Sequence, residues 1–166
     1  MVYALVDVPM VVDADALNAM AKVPSALKDH GHKAPRILTP HIGEFRRLAE
    51  DPSLTPDACR DRAKELAAQH RVVIVLKGHR TLVTNGESHY ENDTGNPGMA
   101  TGGSGDVLTG VITALLGQGY SPMDAACLGV HVHGLAGDLA RDCVGHEMAV
   151  SAEDIARQLG HAFARL

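Results

Sequence analysis

The sequence predicts an α/β fold built on a mostly parallel sheet, and three observations carry that reading. Strand-like and helix-like stretches alternate along the first half of the chain, as in successive βαβ units. The run Val-Val-Ile-Val-Leu at 72–76 is continuously apolar, the pattern of a strand covered on both faces. Each of three apolar runs ends on a distinctive polar residue: 8–12 on Asp13, 36–39 on Pro40 and His41, and 72–76 on Lys77. In open α/β sheets ligands bind in the crevice beyond the strand carboxyl ends, so three separate segments point at one rim.

Taken in order, 8–12 is the first strand and 15–21 a short helix. The 36–39 strand runs into a turn, Thr39-Pro-His-Ile-Gly-Glu44. Thr55-Pro56-Asp57 opens a helix to about His70, with Thr as cap, Pro in the first turn and Asp complementing the dipole. After the 72–76 strand, 81–84 and 87–91 form a hairpin across a tight Asn85-Gly86 turn. Glycines 102, 103 and 105 then lead into Val107, Leu108, Val111, Ile112 and Leu115, which share one helical face. Ser121-Pro122-Met123-Asp124 opens a helix to about Arg141. Ser151-Ala152-Glu153-Asp154 caps a last helix striped by Ile155, Leu159, Ala162, Phe163 and Leu166. No internal repeat or long linker divides the chain, so 1–166 reads as part of one domain.

Composition narrows the function classes. Apolar residues make up 45% and charged residues 21% of 166, as in ordinary globular proteins. A formal charge of −5 argues against a nucleic-acid or membrane-surface binder. No apolar run approaches the roughly 20 residues of a membrane span, and the amino terminus lacks a signal peptide's basic start. Cys59, Cys127 and Cys143 are odd in number and widely spaced, as expected of reduced, mostly buried thiols in a cytoplasmic protein.

The stretch from Asn92 to Gly110 carries the most chemistry. A glycine-rich turn feeding a helix start aims free N–H groups and the positive end of a macrodipole at one place, a site suited to phosphate. The stretch is neither a Walker loop nor a dinucleotide fingerprint. Residues 81–140 contain no Lys or Arg, so Lys77, ending a buried strand, is the candidate cation. Asp106 lies in the first helical turn, where it either complements the dipole or serves as a base toward a hydroxyl, as a positioned Asp does in kinases. His131 and His133 face different directions if helical and make a poor metal pair. Cys143 and His146 lack partners.

The strings Val11-Val-Asp-Ala-Asp-Ala-Leu-Asn18, Thr39-Pro-His-Ile-Gly-Glu44, Leu76-Lys-Gly78 and Asn96-Pro-Gly-Met-Ala-Thr-Gly-Gly-Ser-Gly-Asp106 occur in this order. Together they resemble the NAD(P)H-hydrate dehydratase family of the ribokinase-like superfamily, and the resemblance continues through His133-Gly-Leu-Ala-Gly-Asp138. It implies a three-layer αβα fold and an enzyme that uses ADP or ATP, with Mg²⁺, to dehydrate the S form of hydrated NADH or NADPH. It also implies residue roles. Lys77, Gly78, His79, Arg80, Thr81 and the loop Gly102, Gly103, Ser104 and Gly105 would contact the nucleotide. His41 and Asp106 would contact the hydrated cofactor, with Asp106 also the catalytic base, and Glu44 would reach Mg²⁺ through water. Homo-oligomers and an accompanying epimerase domain are further expectations. Family members carry strands and another glycine-rich loop ahead of the Asp-Ala-Asp strand, so the chain reads as the carboxyl-terminal portion of that domain. An isolated chain of this kind is expected to be unstable or to associate. A superfamily kinase releasing a stable phosphoester and a silent nucleotide-binding fragment are the alternatives.

Overall fold

The computed structural model describes residues 2–27 and 34–166. Five strands form one sheet in the order β1 (Met10–Val12), β2 (Arg36–Leu38), β3 (Val73–Leu76), β4 (Leu82–Thr84) and β5 (His89–Glu91). β1, β2 and β3 run parallel, while β4 and β5 return antiparallel. Side chains alternate across the sheet as strand geometry requires. Leu38, Ile74, Leu76 and Leu82 face one core, while Ile37, Val73, Val75 and Val83 face the other.

The first core is closed by α1 (Val2–Leu5), α2 (Ala14–Ala21), α3 (Ile42–Leu48) and α4 (Pro56–His70). The second is closed by α5 (Ser104–Gly117) and α6 (Pro122–Val144), with α7 (Ala152–Phe163) packed on α6 through Val132, Ala136, Ala140, Ile155 and Ala162. The result is the expected three-layer arrangement. Among the described residues no helix is long and apolar enough to cross a membrane.

The helix starts follow the sequence signals. Thr55, Ser121 and Ser151 each accept a first-turn amide through the side-chain oxygen. Gly145, at φ 87, ends α6 where only a left-handed residue lets the chain turn away. Two expectations need correction. The 85–88 turn holds four residues, because Thr84 pairs with His89. The Asn85 carboxamide oxygen there accepts from the amides of Glu87 and Ser88 at 3.0 and 2.8 Å, closing a wider loop than a two-residue hairpin. Residues 42–48 form a helix where the sequence suggested only a turn. Its first residues are capped by His41, an uncommon capping residue.

Candidate functional site

The carboxyl ends of the three parallel strands meet. His41 and Lys77 pair as neighbours beyond β2 and β3, and the Lys77 amide donates to the Pro40 carbonyl at 2.8 Å. Asp13, just past β1, reaches the same place. Its Oδ1 accepts from Lys77 Nζ at 2.7 Å and from the Ala14 amide at 2.8 Å, while Oδ2 accepts from Thr109 Oγ1 at 2.9 Å. Burial alone would raise the Asp13 pKa. Lys77 together with the Ala14 and Thr109 hydrogen bonds outweighs burial and holds the carboxyl below its ordinary range. The sequence presented Lys77 as a cation for phosphate; in the fold that ammonium is already paired. Asp13 was visible only as a strand-end residue, because nothing in linear spacing shows that it faces Lys77 across β2.

The glycine loop is strapped to α6. Asn96 Nδ2 donates to the Gly137 carbonyl at 2.9 Å and to Asp138 Oδ1 at 3.0 Å, and the Gly95 amide donates to Asp138 Oδ2 at 2.8 Å. Contact is close enough that a Cβ on Gly134 would collide with Thr94 and one on Gly137 with Met99. Gly103, at φ 88, precedes α5 and offers no capping side chain. The Ser104 amide donates to the Thr101 carbonyl, and the helical ladder begins with Val107 donating to Gly103. Between them the amides of Gly102, Gly103, Gly105 and Asp106 have no protein acceptor among the described residues. A row of unspent donors at a helix start is what an anion requires.

Gly105 faces the ion pair. A Cβ built on it would stand 3.4 Å from Lys77 Nζ and 3.6 Å from Asp13 Oδ2, so the loop, Lys77 and Asp13 form one cluster. Asp106 is exposed at the third position of α5. Ser104 Oγ lies 3.4 Å from Nε2 of buried His133. Burial drives the His133 pKa down to about 4; a hydrogen bond at Ser104 opposes that shift and the Lys77 charge adds to it.

His41 and Glu44 form a capping box. His41 Nδ1 accepts from the Gly43 and Glu44 amides at 2.9 and 3.3 Å, and Glu44 Oε2 accepts from the His41 amide at 2.9 Å. With Nδ1 as acceptor, the ring proton is assigned to Nε2, which lies 3.4 Å from Glu44 Oε1. The His41 side chain is 54% exposed and so can donate to a ligand, whereas Glu44 is buried. In the 77–81 turn Thr81 Oγ1 donates to the Gly78 carbonyl at 3.1 Å. His79 and Arg80 are exposed there, and Arg80 adopts φ 56. Arg80 lies 3.9 Å from Glu91, a carboxylate already held by Arg60 at 2.6 Å.

No three His, Cys, Asp or Glu side chains gather into a metal cage among the described residues. Among the described residues the one buried carboxylate at this rim outside the ion pair is Glu44. It suits a hard cation that keeps most of its waters and arrives on phosphate, the usual habit of Mg²⁺. His131 and His133 point apart, His131 Nδ1 to the Tyr90 hydroxyl at 3.3 Å and His133 to Ser104. All three thiols are free, with Cys59 buried, Cys127 half-buried and Cys143 exposed rather than covered.

A family model described as NAD(P)H-hydrate dehydratase matches residues 3–160. The chain is 40% identical over 152 residues to the ADP-dependent (S)-NAD(P)H-hydrate dehydratase of Neisseria meningitidis, covering 90% of this chain and 51% of that protein. It is 50% identical over 141 residues to a bifunctional NAD(P)H-hydrate repair enzyme of Moorella thermoacetica, covering 81% of this chain and 26% of the relative. In structure it matches the ADP/ATP-dependent NAD(P)H-hydrate dehydratase of Bacillus subtilis, co-crystallised with ATP and Mg²⁺. That match has a TM-score of 0.83 and 34% identity over 98% of this chain and 56% of the other. The fold is therefore ribokinase-like. The chain spans about half the length of the single-function relatives it matches.

Proposed function

The chain belongs to the NAD(P)H-hydrate dehydratase family, and from that membership we propose that it dehydrates the S epimer of hydrated NADH or NADPH at the expense of ADP. ADP would be converted to AMP and phosphate; ATP, converted to ADP, is the alternative co-substrate. The observation that carries the reading is the set of unspent amides of Gly102, Gly103, Gly105 and Asp106, placed against Lys77 and ending on an exposed carboxylate. In this reading the amides of Gly102, Gly103 and Gly105, with Ser104, take the phosphates. Lys77, Gly78, His79, Arg80 and Thr81 line the rest of the nucleotide. His41 donates from Nε2 to the hydrated nicotinamide nucleotide.

Asp106 takes the proton from the hydroxyl on the hydrated ring as that oxygen attacks the terminal phosphorus, and the bond to the departing nucleotide breaks. The hydroxyl, a poor leaving group, has become a phosphate ester. The ring nitrogen then pushes its electron pair in as the carbon–oxygen bond breaks and phosphate departs. Loss of a proton from the adjacent ring carbon restores the double bond. Mg²⁺, held by the phosphates and reached by Glu44 through water, would offset phosphate charge. The same reading includes a homo-oligomer in the cytoplasm and an epimerase that supplies the S form. The description of the Moorella relative as bifunctional is in keeping with that second activity.

The test is recovery of reduced-cofactor absorbance when the purified chain is given epimer-resolved hydrate with ADP or ATP. AMP and phosphate formed in step with cofactor support the proposal. An accumulating phosphoester without cofactor would make the chain a kinase, and no turnover with either nucleotide would defeat both readings.

A further inference from the structure

We propose that Asp13 is a positioning residue of this site: it acts through Lys77, holding the ammonium beside Gly105 in the phosphate cradle, with Thr109 fixing the second carboxylate oxygen. The inference rests on the nucleotide-binding reading above. It begins from how completely this carboxylate is used. Asp13 is 10% exposed, and both oxygens are engaged by groups from distant parts of the chain: Lys77 from the end of β3, Thr109 from the second turn of α5, and the neighbouring Ala14 amide. Ala14 itself adopts φ 50, a left-handed conformation that costs a non-glycine residue energy. Such backbone persists only where surrounding contacts over-determine it. Here the contact is the hydrogen bond that turns the Ala14 amide onto Asp13.

A lysine ends in a compact charge on a flexible four-carbon stem. Left alone at the rim, the Lys77 ammonium would sample solvent, and ordering it would weaken every binding event. Asp13 removes that freedom beforehand. The clamp also fixes the first turns of α5 to the end of β3, because one carboxylate bonds both Thr109 and Lys77. The approach to Gly105 is part of the same geometry: a Cβ built there would touch both charged groups, so a ligand bound against Gly105 would lie close to the ammonium. With no Lys or Arg between residues 81 and 140, the position of this cation bears heavily on phosphate affinity.

A salt bridge that merely staples β1 to β3 would look the same in the folded chain, so the test must separate positioning from stapling. ADP binding is measured by titration calorimetry for the 166-residue chain and for Asp13→Asn, Lys77→Met, the double variant and Thr109→Val, each with a thermal melt. Asp13→Asn and Lys77→Met are each expected to weaken ADP at least tenfold. The double variant should bind no more weakly than Lys77→Met alone, since Asp13 has nothing left to position. Thr109→Val, which keeps the ion pair and loosens its anchor, should weaken ADP by a smaller factor with little change in melting. A second readout is acylation of Lys77 by an amine-directed reagent at one fixed pH, which should run faster in Asp13→Asn because the amine is no longer held against the carboxylate. Equal losses from Asp13→Asn in wild-type and Lys77→Met backgrounds would overturn the proposal, as would unchanged ADP affinity. If Asp13→Asn does not fold, unchanged affinity in Thr109→Val has the same force. A wild-type chain that binds no ADP defeats the nucleotide reading and this proposal with it, whereas ADP binding with additive losses defeats this proposal alone.

Discussion

At the scale of single residues, the proposed function divides the labour of the site between groups that bind and one that reacts. Asp106 is exposed and has no hydrogen-bond partner among the described residues, so removing its charge should disturb little but chemistry. Asp106→Asn is expected to lower turnover by about 100-fold or more, the usual yield of a positioned base, while ADP affinity changes less than threefold or so. Loss of binding in proportion to turnover would place Asp106 among the phosphate-holding groups instead. Gly105 presents the opposite case. A methyl group there meets Lys77 and Asp13 only at ordinary contact distance, 3.4 and 3.6 Å, so the unliganded fold tolerates it. It would nevertheless stand in the path of a phosphate approaching the loop. Gly105→Ala should melt within about 2 °C of wild type, no more than a lesion of about 1 kcal/mol produces in a chain this size. Its nucleotide KM should rise about tenfold. A variant that unfolds early yet keeps its KM would mean that glycine is there for packing alone.

At the scale of elements, α6 holds the glycine loop in place with the Asp138 carboxylate and with glycines at 134 and 137, where the loop lies closest. Alanine favours a helix interior over glycine by about 1 kcal/mol, so propensity alone predicts that Gly134→Ala and Gly137→Ala stabilise. Packing predicts the reverse. A Cβ at 134 would run into Thr94 backbone as well as its side chain, whereas the atoms nearest one at 137 belong to the flexible side chain of Met99. Overpacking costs about 1–3 kcal/mol where neighbours cannot yield, so Gly134→Ala should lose stability toward that range in urea titrations and Gly137→Ala distinctly less. The elements most legible in the sequence were those with their own punctuation: α4, α6 and α7 carry Ser or Thr caps, and β3 is continuously apolar. Helix α3 was not legible because its cap is a histidine and its seven residues are too few for a clear period. The glycine loop was legible as a candidate phosphate site because its glycines run directly into an apolar helical stripe. The Asp13–Lys77–Thr109 clamp was not, since its members lie 64 and 96 residues apart and only strand order brings them together.

At the scale of the whole molecule, polar groups buried between α5 and α6 and at the rim make stability sensitive to acid. His133 sits on α6 against Ser104 of α5, under the influence of Lys77 from β3, and burial depresses its pKa from 6.5 to about 4. The imidazole is therefore neutral in the fold at pH values where the unfolded chain already protonates it. Between about pH 6.5 and 4 the unfolded state binds the extra proton, so stability is full above that window and falls as pH is lowered through it. A displacement of this size corresponds to roughly 3 kcal/mol, a large share of what holds a domain together. Asp13 adds a second loss further down: its pKa is depressed in the fold, so the unfolded chain takes up that proton in the ordinary aspartate range, before the folded chain does. Denaturant midpoints measured at pH 7.5, 6.0, 5.0 and 4.0 should fall steadily for the wild-type chain. In His133→Gln, which keeps a hydrogen-bonding group for Ser104, the decline between pH 6.5 and 4 should flatten, leaving the onset of carboxylate losses, that of Asp13 among them, at the acid end. If both proteins lose stability in parallel across that window, the buried imidazole is not what ties the two helices' packing to pH.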